Sequence, residues 1–370
     1  MSDVEAATAP ESQQSEERHA RRGPAKTGQS NISDIARLAG VSTATVSRVM
    51  RGKGSISEAT RAKVMKVVDE LGYVPNAHAR ALTTPPNSVT MVVRAITGGT
   101  YSDLMAGVER EVSSRNMTFR LISTGTREGG LQRVVDDLLS QRPKVAVMLA
   151  DAGTDAEQDE VLNDAFDQLG RVGTKIVLAG RPRLTLNPGI GVVDYANEQG
   201  MHDLTAYMVS MGHRCFLFAG KADVSSVFDA RYQGFRRALE EAGIAYDPRY
   251  DIVRTDDRKT NVEALVSAYA AGARFTAVVA STDAVALDMI YGLRTLGLAV
   301  PEQVSVGGFD DMPYAEDLIV PLSTVHVPFA EVGRTAVRMG LGECPDDCVL
   351  PTSLAIRRSI LPSDGPVLER

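Results

Sequence analysis

Residues 31–50 read NISDIARLAGVSTATVSRVM, a pattern typical of two helices joined by a tight turn. Asn31 is a preferred N-cap residue, and Asp34 places a carboxylate in the first turn, where the helix dipole favours negative charge. Gly40 supplies the permissive backbone that a sharp turn needs. Ser42 can then cap the second helix. The stretch therefore predicts a helical hairpin.

The second helix of this hairpin has two different faces. Val46, Val49 and Met50 share one side at helical spacing and predict a buried face. The other face carries small or hydroxylic side chains and one long cation, namely Thr43, Ala44, Ser47 and Arg48. Such a face suits the major groove of DNA, where hydroxyls and a bidentate guanidinium can bond base edges. A plain helical hairpin with a solvated face is the alternative interpretation.

The following residues favour DNA binding. Ser57 is expected to cap a third helix, whose apolar stripe includes Val64 and Val68 and which ends at Gly72. Residues 31–84 contain eight Lys or Arg and four Asp or Glu, a net charge of +4 (8 − 4) in a chain whose net charge is −7. A local excess of cations is what a surface that binds phosphates requires.

The motifs DIARLAGVSTATVSRV, TRAKV and LGYVPN resemble the DNA-binding headpiece and hinge of the lactose-repressor (LacI/GalR) family. The resemblance implies that the second helix reads the major groove, and that a hinge helix folds on DNA and pairs with the hinge of a second subunit. Leu82 would wedge into the minor groove and kink the duplex. Arg51 stands where the family usually has asparagine. The residues expected to contact DNA are Thr43, Ala44, Ser47, Arg48, Arg51, Asn76, Ala79 and Leu82.

Residues 88–361 alternate short apolar runs with amphipathic stretches, as in VTMVVRAI followed by YSDLMAGVEREVSSRN. This alternation predicts an α/β core of parallel sheets covered by helices on both faces. The region is too long for one sheet, so we expect two doubly wound lobes with a ligand cleft at the C-terminal ends of the strands. The motifs MGHRCFLFAG, DARYQGFRRAL and VPEQVSVGGFDD resemble the same family, which implies a periplasmic-binding-protein-like core attached to a small all-α headpiece.

The domain organisation follows from these boundaries. We expect a disordered tail (1–29), the helix-turn-helix headpiece (30–75), a hinge helix and linker (76–87), a core for effector binding and dimerisation (88–361) and a second tail (362–370). By the family resemblance the chain crosses between the lobes near Val193, Gly308 and Thr324. Lobe 1 would then comprise residues 88–192 and 309–324, and lobe 2 residues 193–308 and 325–361.

The resemblance also implies which side chains contact an effector. Arg231 in DARYQGF is the leading candidate, because its fork can hold two ligand hydroxyls or a carboxylate. A surface arginine is the alternative. Asp283 follows a strand, where a carboxylate can accept hydrogen bonds from sugar hydroxyls. Ser225 and Tyr101 match positions that line the cleft in relatives, although Tyr101 could equally be a core aromatic.

One departure from the family concerns the stretch DIVRTDDRKTN between Asp251 and Asn261. Relatives often have an aromatic residue there that stacks on the ligand, whereas this chain has none. The site would lose an apolar platform and gain Asp256 or Asp257. A polar, sugar-like effector therefore fits better than a flat purine.

Other classes of function find little support. The sequence has no nucleotide-binding fingerprint and no nucleophile elbow. It has no apolar run long enough to span a bilayer, and its N-terminal residues lack the apolar segment of a secretory signal. Cys344 and Cys348 have no further Cys or His beside them, so neither a metal nor another cofactor is expected.

We therefore expect a non-enzymatic transcription regulator, most simply a repressor, that is cytoplasmic and nucleoid-associated. One reader helix covers too few base pairs for a specific site, so a homodimer on a palindromic operator is expected. A small polar effector would control it. The rival interpretation is a solute-binding protein without a DNA function.

Overall fold

The structure is a computed structural model that describes residues 31–51, 56–73, 87–94, 100–125, 129–149, 155–222 and 225–363; of the side chains of residues 51, 100 and 101 nothing is described. The chain divides into two compact units, Met1–Thr83 and Thr84–Arg370. The predicted N-terminal tail, and most of the predicted hinge and C-terminal tail, lie outside the described residues.

The described part of the first unit contains the helices α1 (Ile32–Ala39), α2 (Thr43–Arg51) and α3 (Glu58–Glu70). The Asn31 side chain accepts hydrogen bonds from the backbone of Ser33 at 2.9 Å and of Asp34 at 3.1 Å, and the Asp34 carboxylate accepts from the Asn31 backbone. This reciprocal capping box begins α1. Gly40 ends it with a φ of 63°, the left-handed conformation that favours glycine. The predicted hairpin is confirmed.

The apolar stripes of the three helices meet in one small core. Ile35 of α1, Val46 and Val49 of α2, and Val64 and Val68 of α3 are all buried in it. A core of this size stabilises a small domain only marginally. The Ser42 and Ser57 hydroxyls accept hydrogen bonds from backbone N–H groups in the first turns of α2 and α3, as their positions predict.

The second unit contains two sheets within the described residues. The strands are β1 (Ser88–Val93), β2 (Thr118–Ser123), β3 (Val145–Leu149), β4 (Lys175–Ala179), β5 (Gly191–Tyr195), β6 (Phe216–Lys221), β7 (Ile252–Val253), β8 (Ala277–Ala280), β9 (Ser305–Asp310), β10 (Ser323–His326), β11 (Asp347–Leu350) and β12 (Ser353–Ala355). The first sheet has the order β11-β5-β4-β3-β1-β2 and is parallel throughout. The second has the order β12-β10-β9-β8-β6-β7, and only its edge strand β12 is antiparallel.

Helices cover both faces of each sheet, which confirms two doubly wound lobes. They are α4 (Thr100–Ser114), α5 (Gly130–Gln141), α6 (Asp155–Arg171), α7 (Asn197–Ser210), α8 (Ser226–Glu241), α9 (Arg258–Ala270), α10 (Asp283–Thr295), α11 (Tyr314–Asp317) and α12 (Phe329–Gly340). In the first sheet Val145 and Val147 face the core shared with α4 and α12, whereas Ala146 and Met148 face the core shared with α5 and α6. This alternation is the period of a β-strand buried on both faces.

The predicted division of the core into lobes is wrong after residue 308. Both β9 and β10 pair within the second sheet, so residues 309–324 do not return to lobe 1. Helix α12 instead packs against α4 on the first sheet, and β11 pairs with β5 at the edge of that sheet. The chain therefore crosses between lobes after β5, between β10 and α12, and between β11 and β12.

The glycine pair in β9 lies in a middle strand of the second sheet, not at a crossing between lobes. A Cβ built on Gly308 would lie 2.3 Å from the Asp283 Oδ1 atom, and one built on Gly307 would lie 3.1 Å from the Leu204 side chain. Both glycines therefore make room for side chains that pack against the middle of the second sheet.

Candidate functional site

The polar face of α2 is exposed as predicted. Thr43, Ala44 and Arg48 are exposed and Ser47 is half-buried, while Val46 and Val49 on the opposite side are 0% and 3% exposed. Among the described residues, Arg48 has no hydrogen-bond or ion-pair partner. The arrangement leaves the Arg48 guanidinium and the Thr43 hydroxyl available to base edges.

The remaining residues predicted to contact DNA lie beyond what the structure describes. The backbone of Arg51 ends α2, but nothing is described of its side chain. Asn76, Ala79 and Leu82 fall in the gap between residues 73 and 87.

A cavity of about 210 Å³ opens between the two lobes, at the C-terminal ends of their strands. Lobe 1 contributes the lining residues Arg94, Leu104, Leu149, Ala179, Gly180, Tyr195 and Phe329. Lobe 2 contributes Ser225, Val227, Phe228, Arg231, Arg254, Thr282 and Asp310. This is the position at which open parallel sheets bind ligands.

Arg231 lies in the wall of this cavity and is only 2% exposed. Its Nε donates to the Asn197 side chain at 2.9 Å, and its Nη1 to the Ser281 carbonyl at 2.6 Å. Its Nη2 donates to the Tyr195 hydroxyl at 3.1 Å and to Asp310 Oδ1 at 3.0 Å. Since a guanidinium has five N–H donors, these four bonds leave one N–H for a ligand (5 − 4).

Asp310 is a cavity residue that is absent from the predicted effector contacts. It ends β9 with a φ of 109°, and Asp311 follows with a φ of 56°, a strained pair of a kind found at binding sites. Burial raises the pKa of the Asp310 carboxyl, and the Arg231 charge opposes that rise. Asp311 points elsewhere, to Arg357 at 2.7 Å and to His326 at 2.9 Å. In the sequence, the two adjacent acids of the motif GFDD were the signal that could have identified Asp310 as a binding residue.

Asp283 was predicted to contact the effector, but its side chain does not reach the cavity. Its side chain has no exposed surface, and the cavity lining includes Thr282 but not Asp283. Oδ1 accepts from the Thr324 hydroxyl at 2.5 Å, and Oδ2 accepts from the Met312 backbone at 2.7 Å. Burial, followed by the charge of Asp310, raises the pKa of Asp283 to about 7. Its function is to hold β10 and the segment after β9.

Of the other two predicted effector contacts, one can be placed. Ser225 lines the cavity directly before α8, and its hydroxyl does not cap that helix. Tyr101 belongs to α4, but its side chain lies outside the description.

The stretch DIVRTDDRKTN brings an arginine to the cavity. The Arg254 guanidinium lies 4.8 Å from the ring centre of Phe228, and both residues line the cavity. Asp256, one of the two acids expected in the site, pairs with Arg254 at 3.1 Å. Asp257 instead caps α9, accepting from the Thr260 backbone at 2.9 Å. The aromatic surface thus comes from Tyr195, Phe228 and Phe329, which sequence reasoning missed because none of them lies in this stretch.

Among the described residues, three polar contacts join the lobes around the cavity. Besides the Tyr195–Arg231 hydrogen bond, the Asp155 carboxylate on lobe 1 accepts from the Ser226 backbone N–H at 2.7 Å. That N–H belongs to the first turn of α8 on lobe 2, so Asp155 caps a helix of the opposite lobe. Arg94 on lobe 1 lies 4.0 Å from Asp256 on lobe 2. The structure is therefore a closed arrangement of the lobes.

The described residues also bear on metal binding and on membrane insertion. No group of three or more His, Cys, Asp or Glu residues could hold a metal ion there. Over the same residues, no helix has the length and the apolar character needed to cross a membrane.

Comparison with known proteins agrees with both units. The family model for bacterial regulatory proteins of the lacI family matches residues 31–76, and that for a periplasmic binding protein-like domain matches residues 205–360. The chain is 32% identical over 317 residues to the HTH-type transcriptional repressor PurR of Vibrio vulnificus (strain CMCP6), an alignment that covers 85% of this chain and 92% of that protein.

Solved structures share the same architecture. A complex of the transcriptional regulator CelR with cellobiose matches with a TM-score of 0.66 at 29% identity, covering 89% of this chain and 99% of that one. A lac repressor dimer bound to operator and the anti-inducer ONPF matches with a TM-score of 0.77 at 21% identity, covering 90% of this chain and 100% of that one. With the helix-turn-helix unit and the two-lobed core, these similarities show that the chain belongs to the lacI family of bacterial regulatory proteins and is a DNA-binding transcription regulator.

Proposed function

We propose that this regulator is a repressor that binds a palindromic operator as a homodimer and responds to a small polar effector held between its lobes. The observation that carries the proposal is a cavity walled by both lobes, with Arg231 and Asp310 in its wall, in the same chain as an exposed reader face on α2. The relative from Vibrio vulnificus is named a repressor, and CelR was solved with cellobiose.

The DNA contacts follow from the face of α2. Thr43, Ala44, Ser47 and Arg48 read base edges in the major groove, and Arg51 contacts phosphate. Asn76, Ala79 and Leu82 act in the minor groove, with Leu82 as the wedge. Two copies of α2 at a fixed spacing are needed to read a specific site, which is the reason for a homodimer and a palindrome. Because its partner is DNA, the protein acts in the cytoplasm at the nucleoid.

The effector contacts follow from the donors and acceptors left at the cavity. The remaining N–H of Arg231, the Asp310 carboxylate and the Ser225 hydroxyl suit the hydroxyls of a sugar-like molecule. A ligand that touches both lobes favours one arrangement of them, and only such differential binding can shift DNA affinity. By linkage, operator DNA must then change effector affinity by the same factor.

The test is operator binding by the purified full-length chain. An operator is first selected from a pool of random duplexes, and its affinity is then measured with and without a panel of sugars and sugar derivatives. The proposal expects selection of a palindrome and a change of affinity with at least one panel member. A protein that binds panel members but selects no DNA sequence would instead be the solute-binding protein of the rival interpretation.

A further inference from the structure

The cavity walls that the structure describes carry more positive than negative charge. Arg94, Arg231 and Arg254 line it, and Asp310 is the carboxylate among the described lining residues. Asp310 is already matched to Arg231 by the ion pair at 3.0 Å. No carboxylate among the described lining residues is therefore left to balance Arg94 and Arg254.

Both of these arginines depend on a single carboxylate among the described residues. Asp256 lies 3.1 Å from Arg254 and 4.0 Å from Arg94, and its side chain is 70% exposed. An exposed carboxylate between two guanidiniums neutralises one of them and is itself well solvated. The Arg94 Nε atom, moreover, is buried and has no acceptor within the described part of the chain. Because an unmatched buried donor is costly, an acceptor that reaches Arg94 would stabilise this part of the cavity.

Arg94 and Arg254 approach Asp256 from opposite lobes. Arg94 follows β1 of lobe 1, and Arg254 follows β7 of lobe 2. Phe228 lies under the Arg254 guanidinium at 4.8 Å and beside that of Arg231 at 5.7 Å, so its ring helps to orient both cations. An anion bound where Arg94 and Arg254 meet would contact both lobes and stabilise their closed arrangement.

We propose that the effector is a polyhydroxylated molecule with an anionic group, a phosphate or a carboxylate, which Arg94 and Arg254 bind from the two lobes. The inference rests on the proposed function and names the class of ligand for the same cleft. Arg231, Asp310 and Ser225 take the hydroxyls, and the planar forks of Arg94 and Arg254 suit a phosphate or carboxylate.

The first experiment uses inorganic phosphate as a probe of the full-length protein. Melting temperatures are measured in phosphate and in chloride at equal ionic strength for wild type, Arg94→Gln, Arg254→Gln and the control Arg249→Gln. Arg249 has a 78% exposed side chain on the same lobe, away from the cavity lining. Phosphate should raise the melting temperature of wild type and of the control by the same amount. The two cavity variants should lose much of that rise. The part of the rise that remains comes from phosphate bound to the cationic headpiece, which is the same in all four proteins.

The second experiment compares glucose, gluconate and glucose 6-phosphate by calorimetry. Because hydrogen bonds to charged groups are strong, the anionic forms should bind roughly ten- to a hundredfold more tightly than glucose, and Arg254→Gln should abolish that preference. Preference for one anionic form over the other identifies phosphate or carboxylate as the natural group. Glucose binding as tightly as both anions, or no response to any anion that depends on Arg94 and Arg254, would overturn the proposal.

Operator affinity of the wild type is measured on the same preparation, without ligand and with each of the three compounds. Specific operator binding without any preference for anions would reject only the charged effector. Absence of specific operator binding both without ligand and with each of the three compounds would reject the proposed function itself.

Discussion

Arg48 is the long cation on the polar face of α2, and its side chain is exposed. A guanidinium in the major groove can form two hydrogen bonds with a guanine edge. Arg48→Ala should therefore weaken operator binding by about 1–3 kcal/mol and affect binding to random DNA far less. Arg37→Ala on α1, which removes a cation with 72% side-chain exposure, is the control. An equal loss of affinity for operator and for random DNA would show that Arg48 contacts only phosphate.

Asp283 makes the stability of the core depend on pH. Its pKa is about 7 in the folded protein, whereas an unfolded aspartate titrates at about 3.9. The folded state therefore binds the extra proton between these values, and the stability that this proton contributes is present below pH about 4 and lost as pH rises towards about 7. Asp194, whose pKa burial raises to about 6, acts in the same direction.

Asp283→Asn should remove the part of this dependence that belongs to Asp283. The amide can accept from the Met312 backbone and donate to the Thr324 hydroxyl, the two groups that the carboxyl now contacts. Urea unfolding from pH 5 to pH 8, a range chosen to span both raised pKa values, should show a smaller loss of unfolding free energy in the variant. Parallel pH curves for the two proteins would contradict the assignment.

The same residues show where sequence reasoning stops. Arg231 could be predicted because a family motif surrounds it, and it does line the cavity. Asp310 ends a strand and Asp283 follows one closely, so the sequence could not tell which of them faces the ligand. The choice depends on the left-handed backbone of Asp310 and on the bonds to Asp283 from Thr324 and Met312, which come from distant parts of the chain.

At the scale of elements, two helix pairs owe their close packing to glycines. A Cβ on Gly333 of α12 would lie 2.2 Å from the Leu104 carbonyl oxygen of α4, and one on Gly107 of α4 would lie 2.0 Å from the Ala330 carbonyl. In the other lobe, a Cβ on Gly234 of α8 would lie 2.1 Å from the Glu198 carbonyl of α7. On each sheet, one face is thus covered by a pair of helices whose backbones are in close contact, α4 with α12 on the first sheet and α7 with α8 on the second.

Gly333→Ala should destabilise the core by about 1–3 kcal/mol, because the added methyl group must push α4 and α12 apart. Gly170→Ala is the matched change in α6, where a Cβ would meet nothing within 4 Å. This second variant should gain about 0.5–1 kcal/mol from helix propensity. Thermal unfolding of the two variants tests the packing, and a stabilised Gly333→Ala would show that the helices can separate without cost.

Local signals predicted the elements well and their connections poorly. Caps, helical periodicity and strand–helix alternation depend on residues close in sequence, which is why the headpiece and both α/β lobes were predictable. The return of α12 and β11 to lobe 1 depends on tertiary pairing, and no short motif encodes it. The crossings after β9 were therefore misplaced.

At the scale of the whole molecule, Asp155 connects the two lobes of the core. It accepts from the α8 backbone at Ser226 and is held on lobe 1 by the buried Arg181, at 3.4 Å. Asp155→Ala should weaken the cap on α8 by about 0.5–2 kcal/mol. Hydrogen exchange of a peptide covering residues 226–231 should then become faster in the variant. Asp164→Ala, at an exposed position of α6, removes the same charge from the helix that contains Asp155 and should leave exchange unchanged. Faster exchange in both variants would show that the loss of a negative charge, and not the loss of the cap on α8, causes the change.

The central claim is that two copies of α2 read one palindromic site. The most direct measurement is a binding titration, at several salt concentrations, on a selected palindrome and on the same duplex with one half-site scrambled. We predict that binding to the intact palindrome is roughly a thousandfold or more tighter than to non-specific DNA. We also predict that scrambling one half-site removes most of this preference, and that affinity falls steeply with salt. Equal affinity for the intact and the half-scrambled duplex would contradict the claim.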